Sequence, residues 1–140
     1  ATVIIAAFDT GRFRWTHDAS QTTQIVALAV LILAGGLQVW AMTVNPFFSA
    51  AIRMQAERDH ELVTSGPYRF VRHPGYLAMT VVMPATALAI GSVAAMIPAS
   101  GYSALILWRA KREDEFLMER LESYSGYSGR VHYRLVPGIW

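Results

Sequence analysis

The sequence predicts an all-α integral membrane protein. Three observations carry this. Of 140 residues, 54% are hydrophobic and only 16% are charged, against roughly 45–50% and about 25% in soluble domains. Residues Thr22 to Val44 contain no charge, and the 32 residues Leu77 to Trp108 contain none either. The polar segments between and after these runs are rich in Arg. The predicted architecture is transmembrane helices with a helical hairpin, a polar loop at one membrane face and a C-terminal helix beside it.

The first eight residues, Ala1 to Phe8, are apolar except for Thr2 and stop at Asp9. They are expected to be the end of a truncated helix, with upstream spans absent. Thr22–Val44 is long enough to cross a bilayer core, which takes about 20 residues. Gly35-Gly36 is expected to pack closely on another helix. A buried helix of a soluble protein is the alternative. Asn45-Pro46 ends the helix, because proline disfavours the helical conformation in the residue before it.

Leu77–Trp108 is too long for one perpendicular span. It reads as a hairpin with arms Leu77–Ile90 and Ile97–Trp108, turning around Gly91–Met96. One long tilted helix kinked at Pro98 is the competing reading. Pro84 and Pro98 require neighbouring groups to satisfy the carbonyls they free. The tail opens as a helix over Trp108–Ser123, with Arg109–Glu113 and Lys111–Glu115 spaced as i,i+4 pairs. Phe116, Leu117, Leu121 and Tyr124 make its apolar stripe. Ser125-Gly126 is expected to break it, leaving Tyr127–Trp140 irregular.

Basic residues orient the chain. Two, Arg12 and Arg14, precede the first span; four lie in residues 45–76 and six in residues 109–140. The excess places loop and tail on the cytoplasmic side. There is no cysteine, so no disulfide or thiolate chemistry is available. The four histidines lack metal-ligand spacing, and no metal is expected. A net charge of +2 is too small to argue for nucleic acid; the basic residues suit lipid headgroups better.

Chemistry concentrates in Glu61–Tyr76. Arg72 offers a planar fork of donors for carboxylate or phosphate, and His73 can donate, accept or titrate near neutrality. Pro74 and Gly75 stiffen the backbone, and Tyr68 and Tyr76 add rings and hydroxyls. The bland reading is snorkelling arginines and an aromatic belt. Glu113, Asp114 and Glu115 follow the apolar run; they could hold a cationic ligand or orient Arg72, or simply form a solvated helix face. Ser49–His60 could be an interfacial amphipathic helix covering the site.

These residues also carry a resemblance. Gly66-Pro67-Tyr68 with Arg72-His73-Pro74-Gly75-Tyr76 is similar to a G-x-Y…R-H-P-x-Y pattern. Glu113-Asp114-Glu115-Phe116-Leu117 is similar to E-E-x-x-L. Asp9–Trp15, Asn45–Phe48, Tyr124-x-x-Tyr127 and Arg134–Pro137 fit as well. The chain resembles the isoprenylcysteine carboxyl methyltransferase family of integral-membrane enzymes, in particular its short bacterial members. The match runs over nearly the whole chain, read as one membrane methyltransferase domain over residues 1–140. The resemblance implies S-adenosylmethionine as methyl donor, held between the loop of residues 45–76 and the C-terminal helix. It implies Tyr68, His73, Pro74, Tyr76, Glu113 and Asp114 as cofactor-binding residues, and Arg72, Arg109 and Glu113 as catalytic candidates. Asp114 replaces the usual second Glu with one methylene less. Ala78 stands where a small residue is usual. The methyl acceptor implied is a lipophilic or small molecule: a prenylcysteine-like carboxylate, a phospholipid amine or a thiol. The expected setting is a bacterial inner membrane, with the lipid bilayer as partner and the site facing the cytoplasm. Two rivals stay open: an NADPH-dependent membrane reductase of the sterol type, and a non-catalytic scaffold. Oligomeric state is not readable.

Overall fold

The computed structural model describes residues 1–16, 19–46 and 62–140, and among these every regular element is helical. The expected interfacial helix Ser49–His60 lies outside the described residues. Helix α1 (Thr2–Phe8) runs into a π-helical turn, Asp9–Phe13. Helix α2 (Gln21–Val44) is capped by Ser20, whose Oγ accepts from the Thr23 amide at 3.2 Å, the usual way of satisfying an orphan N–H at a helix start. A 3₁₀ turn, Gly66–Arg69, precedes α3 (Pro74–Ile90). Pro74 opens α3 at a position where its missing N–H costs nothing. Gly91, at φ 95°, closes it in the left-handed conformation that glycine adopts freely. Helix α4 (Met96–Arg120) follows, then α5 (Glu122–Arg130).

At about 1.5 Å per residue, the 24 residues of α2 exceed the roughly 30 Å of a bilayer core. Among the described residues it is the one helix long and apolar enough to cross a membrane alone. Its burial is inverted relative to a soluble protein. Ala27, Ala34 and Ala41 face inward, while Ile25, Ile32 and Leu33 stand more than 60% exposed. Alanines also fill the core on α3 and α4: Ala78, Ala85, Ala87, Ala99 and Ala110. Small residues inside and large aliphatics outside are what helices do when lipid, not water, surrounds them. A helix buried in a soluble core does not show this.

Helices α2 and α3 pack along most of their length, and α3 packs on α4. The α3–α4 turn spans Gly91–Ala95. Pro84 lies inside α3 and cannot donate to the Thr80 carbonyl one turn back. Ser103 of α4 fills that vacancy, its hydroxyl donating to Thr80 O at 2.7 Å. Pro98 sits in the first turn of α4, where no helical donor is needed. Gly35-Gly36 has no close neighbour among the described residues; a Cβ built at either would meet nothing within 4 Å. The packing expected there is absent, because the inward face of α2 runs through Ala27, Ala34 and Ala41 instead.

The tail also differs from expectation. Ser125-Gly126 does not break the helix; both lie inside α5. The break is at Leu121, at φ −119° and ψ 103°. Helix α5 tolerates its glycines because Tyr124 and Tyr127, three apart on one face, are buried and hydrogen-bonded.

Candidate functional site

The loop before α3 and the last ten residues hold each other. The amides of Arg72 and His73 donate to the carbonyls of Tyr133 and Arg134 at 2.9 and 2.8 Å. Leu135 is buried with Tyr76, Ile106 and Ala110. Tyr127 clips the preceding turn, donating to the Tyr68 carbonyl at 2.7 Å. The loop is thereby seated on the polar end of α4.

At the centre is Asp114, 1% exposed, on the C-terminal half of α4 beyond the apolar run. Arg72 grips it with two prongs, Nε to Oδ1 at 2.8 Å and Nη2 to Oδ2 at 3.1 Å. Arg134 Nε donates to Oδ2 at 2.7 Å, and Tyr124 donates to Oδ1 at 2.6 Å. His73 Nε2 lies 3.1 Å from the same Oδ1. The remaining prong of Arg72 donates to the carbonyls of Val131 and His132, both at 2.9 Å. Burial alone would raise the Asp114 carboxyl, but the hydrogen bonds from His73, Arg72, Tyr124 and Arg134 outweigh it and hold it well below the usual carboxylate range. Burial, followed by the Asp114 charge, pushes the Tyr124 hydroxyl up, so it stays a donor. Asp114 is therefore held as an anion near neutral pH.

One residue earlier on α4, Glu113 faces a different neighbour. Tyr76 donates to Glu113 Oε2 at 2.5 Å and accepts from Arg109 Nε at 2.9 Å. The Arg109 guanidinium stands 6.0 Å from the Tyr76 ring centre, and the His73 and Tyr76 rings are 5.8 Å apart. Glu113 and Arg109 are only partly buried. A partly exposed carboxylate and guanidinium thus meet over the buried phenol of Tyr76, directly beside the closed cluster of Arg72, His73 and Asp114.

The Isoprenylcysteine carboxyl methyltransferase (ICMT) family model matches residues 25–119, a stretch that contains both the loop and the Arg109–Glu115 segment. The chain belongs to this family. The chain is 29% identical over 114 residues to a probable protein-S-isoprenylcysteine O-methyltransferase of Oryza sativa subsp. indica, covering 76% of this chain and 58% of that protein. It is 30% identical over 115 residues to the protein-S-isoprenylcysteine O-methyltransferase of Schizosaccharomyces pombe, covering 77% and 47%. The cobalt-zinc-cadmium resistance protein CzcN of Cupriavidus metallidurans is 28% identical over 135 residues, covering 93% and 57%. The chain spans about half the length of the curated relatives it matches.

In this ICMT-family chain the residues expected at the site divide into three groups. Glu113 and Arg109 lie partly exposed on the open side, with the buried Tyr76 hydroxyl bonded to both. Arg72, His73 and Asp114 form the buried cluster. Pro74 is buried as the first residue of α3 and has no polar side-chain atom. Tyr68 turns toward α2, where its hydroxyl donates to the Ala41 carbonyl at 3.4 Å and accepts from Asn45 at 3.3 Å. Tyr124 and Arg134 were not singled out from sequence as partners of Asp114. The i,i+3 spacing of Tyr124 and Tyr127 was the available signal. Both donors lie outside the family match.

Two further features sit away from this site. A groove of about 660 Å³ runs between α2 and α3, lined by Val26, Val30, Val81, Pro84, Leu88 and Ser103 among others. At the opposite end of the bundle, Asp9 is buried and accepts from the Thr16 amide and hydroxyl at 2.9 and 2.6 Å and from Ser92 at 2.6 Å. The ties from Ser92 and Thr16 outweigh burial and lower its carboxyl to about 2.

Proposed function

We propose that this chain catalyses S-adenosylmethionine-dependent methyl transfer at a membrane surface, to a lipophilic or small acceptor. One observation carries the reading: the two family motifs, far apart in sequence, meet in space, with Tyr76 of one bonded to Glu113 of the other. When bound, S-adenosylmethionine supplies an electrophilic methyl group on a sulfonium.

The residues present suit its polar end. Glu113 is a carboxylate placed to receive an ammonium or a ribose hydroxyl, and Arg109 is a guanidinium placed for a carboxylate. The buried rings of His73 and Tyr76 back them from within, with Pro74 and Tyr68 completing the loop's shape. Arg72 and Asp114 act differently. Each prong of Arg72 is engaged inside the protein, so in this reading both are positioning residues. They fix His73 and Tyr76 against α4, and displacement reactions depend strongly on such positioning. A carboxylate acceptor would need no base. An amine or thiol acceptor would need one, and Glu113 or His73 stands at the site to serve.

The α2–α3 groove supports a lipophilic acceptor. It is apolar, of a size typical for small-molecule sites, and ends at Thr80, one turn from Tyr76. The acceptor's hydrocarbon would lie along it: a prenylcysteine-like carboxylate or a phospholipid amine fits this better than a small thiol. The excess of basic residues in the loop and tail supports a site at the cytoplasmic face, in bacteria that of the inner membrane. The test is transfer of labelled methyl from S-adenosylmethionine by the detergent-purified chain, offered N-acetyl-S-farnesylcysteine, dioleoylphosphatidylethanolamine or a short alkyl thiol. Label in one of them, lost in Glu113→Gln, is expected. No transfer to any of the three, nor to a total lipid extract, would overturn the reading.

A further inference from the structure

Gln38 stands out on α2. Its Oε1 is the one buried side-chain polar atom among the described residues that has no hydrogen-bond partner. An orphan acceptor in a charge-free span is costly, because no water competes to satisfy it. Apolar residues of similar volume would avoid that cost, so the amide needs a reason to be there.

Its position suggests the reason. Ala34 and Ala41, the inward-facing alanines, lie four residues before and three after it. Gln38 thus shares the face of α2 that packs on α3. The two helices run antiparallel in a readable register. Gln24 abuts Gly91, where a Cβ would come within 3.1 Å of its Nε2. Moving fourteen residues along each helix, roughly 21 Å, brings Gln38 level with Leu77, beside Tyr76. In the other direction along α2, the groove's deepest α2 residue is Val30. Ala41, whose carbonyl receives the Tyr68 hydroxyl, is one turn onward. Gln38 therefore stands between the groove and the candidate site.

We propose that Gln38 is a ligand-contacting residue whose Oε1 accepts a hydrogen bond from an N–H or O–H group of a bound molecule at the junction of groove and site. This rests on the methyltransferase reading for the ligand's identity. The donor belongs either to the cofactor, through its ammonium, ribose or adenine amine, or to the methyl acceptor. Removing the amide would leave the ligand's donor unpaired in a dry site, so the loss should be strong.

The test uses Gln38→Met, similar in volume but without the acceptor, in the full chain in detergent. Ligand-free thermal stability is read first. The orphan predicts an unchanged or raised Tm, whereas a fall would reveal a partner within the protein and overturn the inference. This readout stands even if the wild type fails to bind S-adenosylhomocysteine, an outcome that would count against the methyltransferase reading itself. With binding established, at least fivefold weaker S-adenosylhomocysteine affinity in the variant assigns the donor to the cofactor. Unchanged affinity with at least fivefold higher KM for N-acetyl-S-farnesylcysteine or dioleoylphosphatidylethanolamine assigns it to the acceptor. If neither constant moves beyond twofold, the inference is wrong.

Discussion

Arg72 and Asp114, 42 residues apart in sequence, meet as a two-pronged buried ion pair at 2.8 and 3.1 Å. The pair joins the loop before α3 to the polar half of α4. Breaking a buried pair from one side strands the other charge and typically costs about 3–5 kcal/mol. Asp114→Asn should therefore lower the Tm of the purified chain markedly and weaken ligand binding with it. Asp114→Glu keeps the charge but adds a methylene among five close donors, and should cost less, about 1–3 kcal/mol. A thermal scan that ranks the glutamate variant below the asparagine variant would contradict this geometry.

Acid should loosen both ends of the bundle. Asp9 titrates at about 2 in the fold against 3.8 ordinarily, and Asp114 is likewise held low. A depressed carboxyl stabilises the fold above its ordinary pKa, and that stabilisation disappears as pH falls through the folded value. Tm should be insensitive to these two groups from pH 5 to 8 and fall below about pH 4. Asp9→Asn should lower Tm at neutral pH and make the acid fall shallower than in the wild type. Parallel wild-type and variant curves would remove the role given to Asp9.

Ser103 repairs the hydrogen bond that Pro84 cannot make. Ser103→Ala should cost roughly 1 kcal/mol. Pro84→Ala should make the serine dispensable, because residue 84 could then donate to the Thr80 carbonyl itself. A double-mutant cycle checks this; additive effects would disprove the compensation.

Gly66 sits at φ 57°, and a Cβ there would come within 2.9 Å of Val44 Cγ2 and 3.3 Å of Trp40 Nε1. Gly66→Ala should cost more than about 1 kcal/mol, from strain and overlap together. Gly35→Ala meets nothing and should be neutral or mildly stabilising in its helix. Equal Tm values for the two variants would contradict the turn geometry.

What could be read from sequence was whatever depended on local pattern. The charge-free run gave α2 to within one residue. Gly91 was placed in a turn, and the structure shows it closing α3 in the left-handed conformation. The need for a partner at Pro84 was legible, but not that Ser103 supplies it. The Arg72–Tyr76 and Glu113–Leu117 segments were legible as motifs. Their division into a closed and an open half was not. Which of Glu113 and Asp114 turns inward depends on Tyr124 and Arg134, and these arrive only through the path of the C-terminal segment. The break expected at Ser125-Gly126 failed for the same reason, since buried tyrosines outweigh the poor helix propensity of glycine. Gly35-Gly36 looked like a packing motif because composition does not say which face of a helix is covered.

In the proposed methyltransferase, Tyr76, Glu113 and Arg109 form the binding edge for S-adenosylmethionine. The most direct measurement is calorimetric titration of the detergent-purified chain and of Glu113→Gln with S-adenosylhomocysteine. Micromolar binding by the wild type is expected, and at least tenfold weaker binding by the variant at unchanged Tm. No binding by the wild type, or equal binding by both proteins, would contradict it.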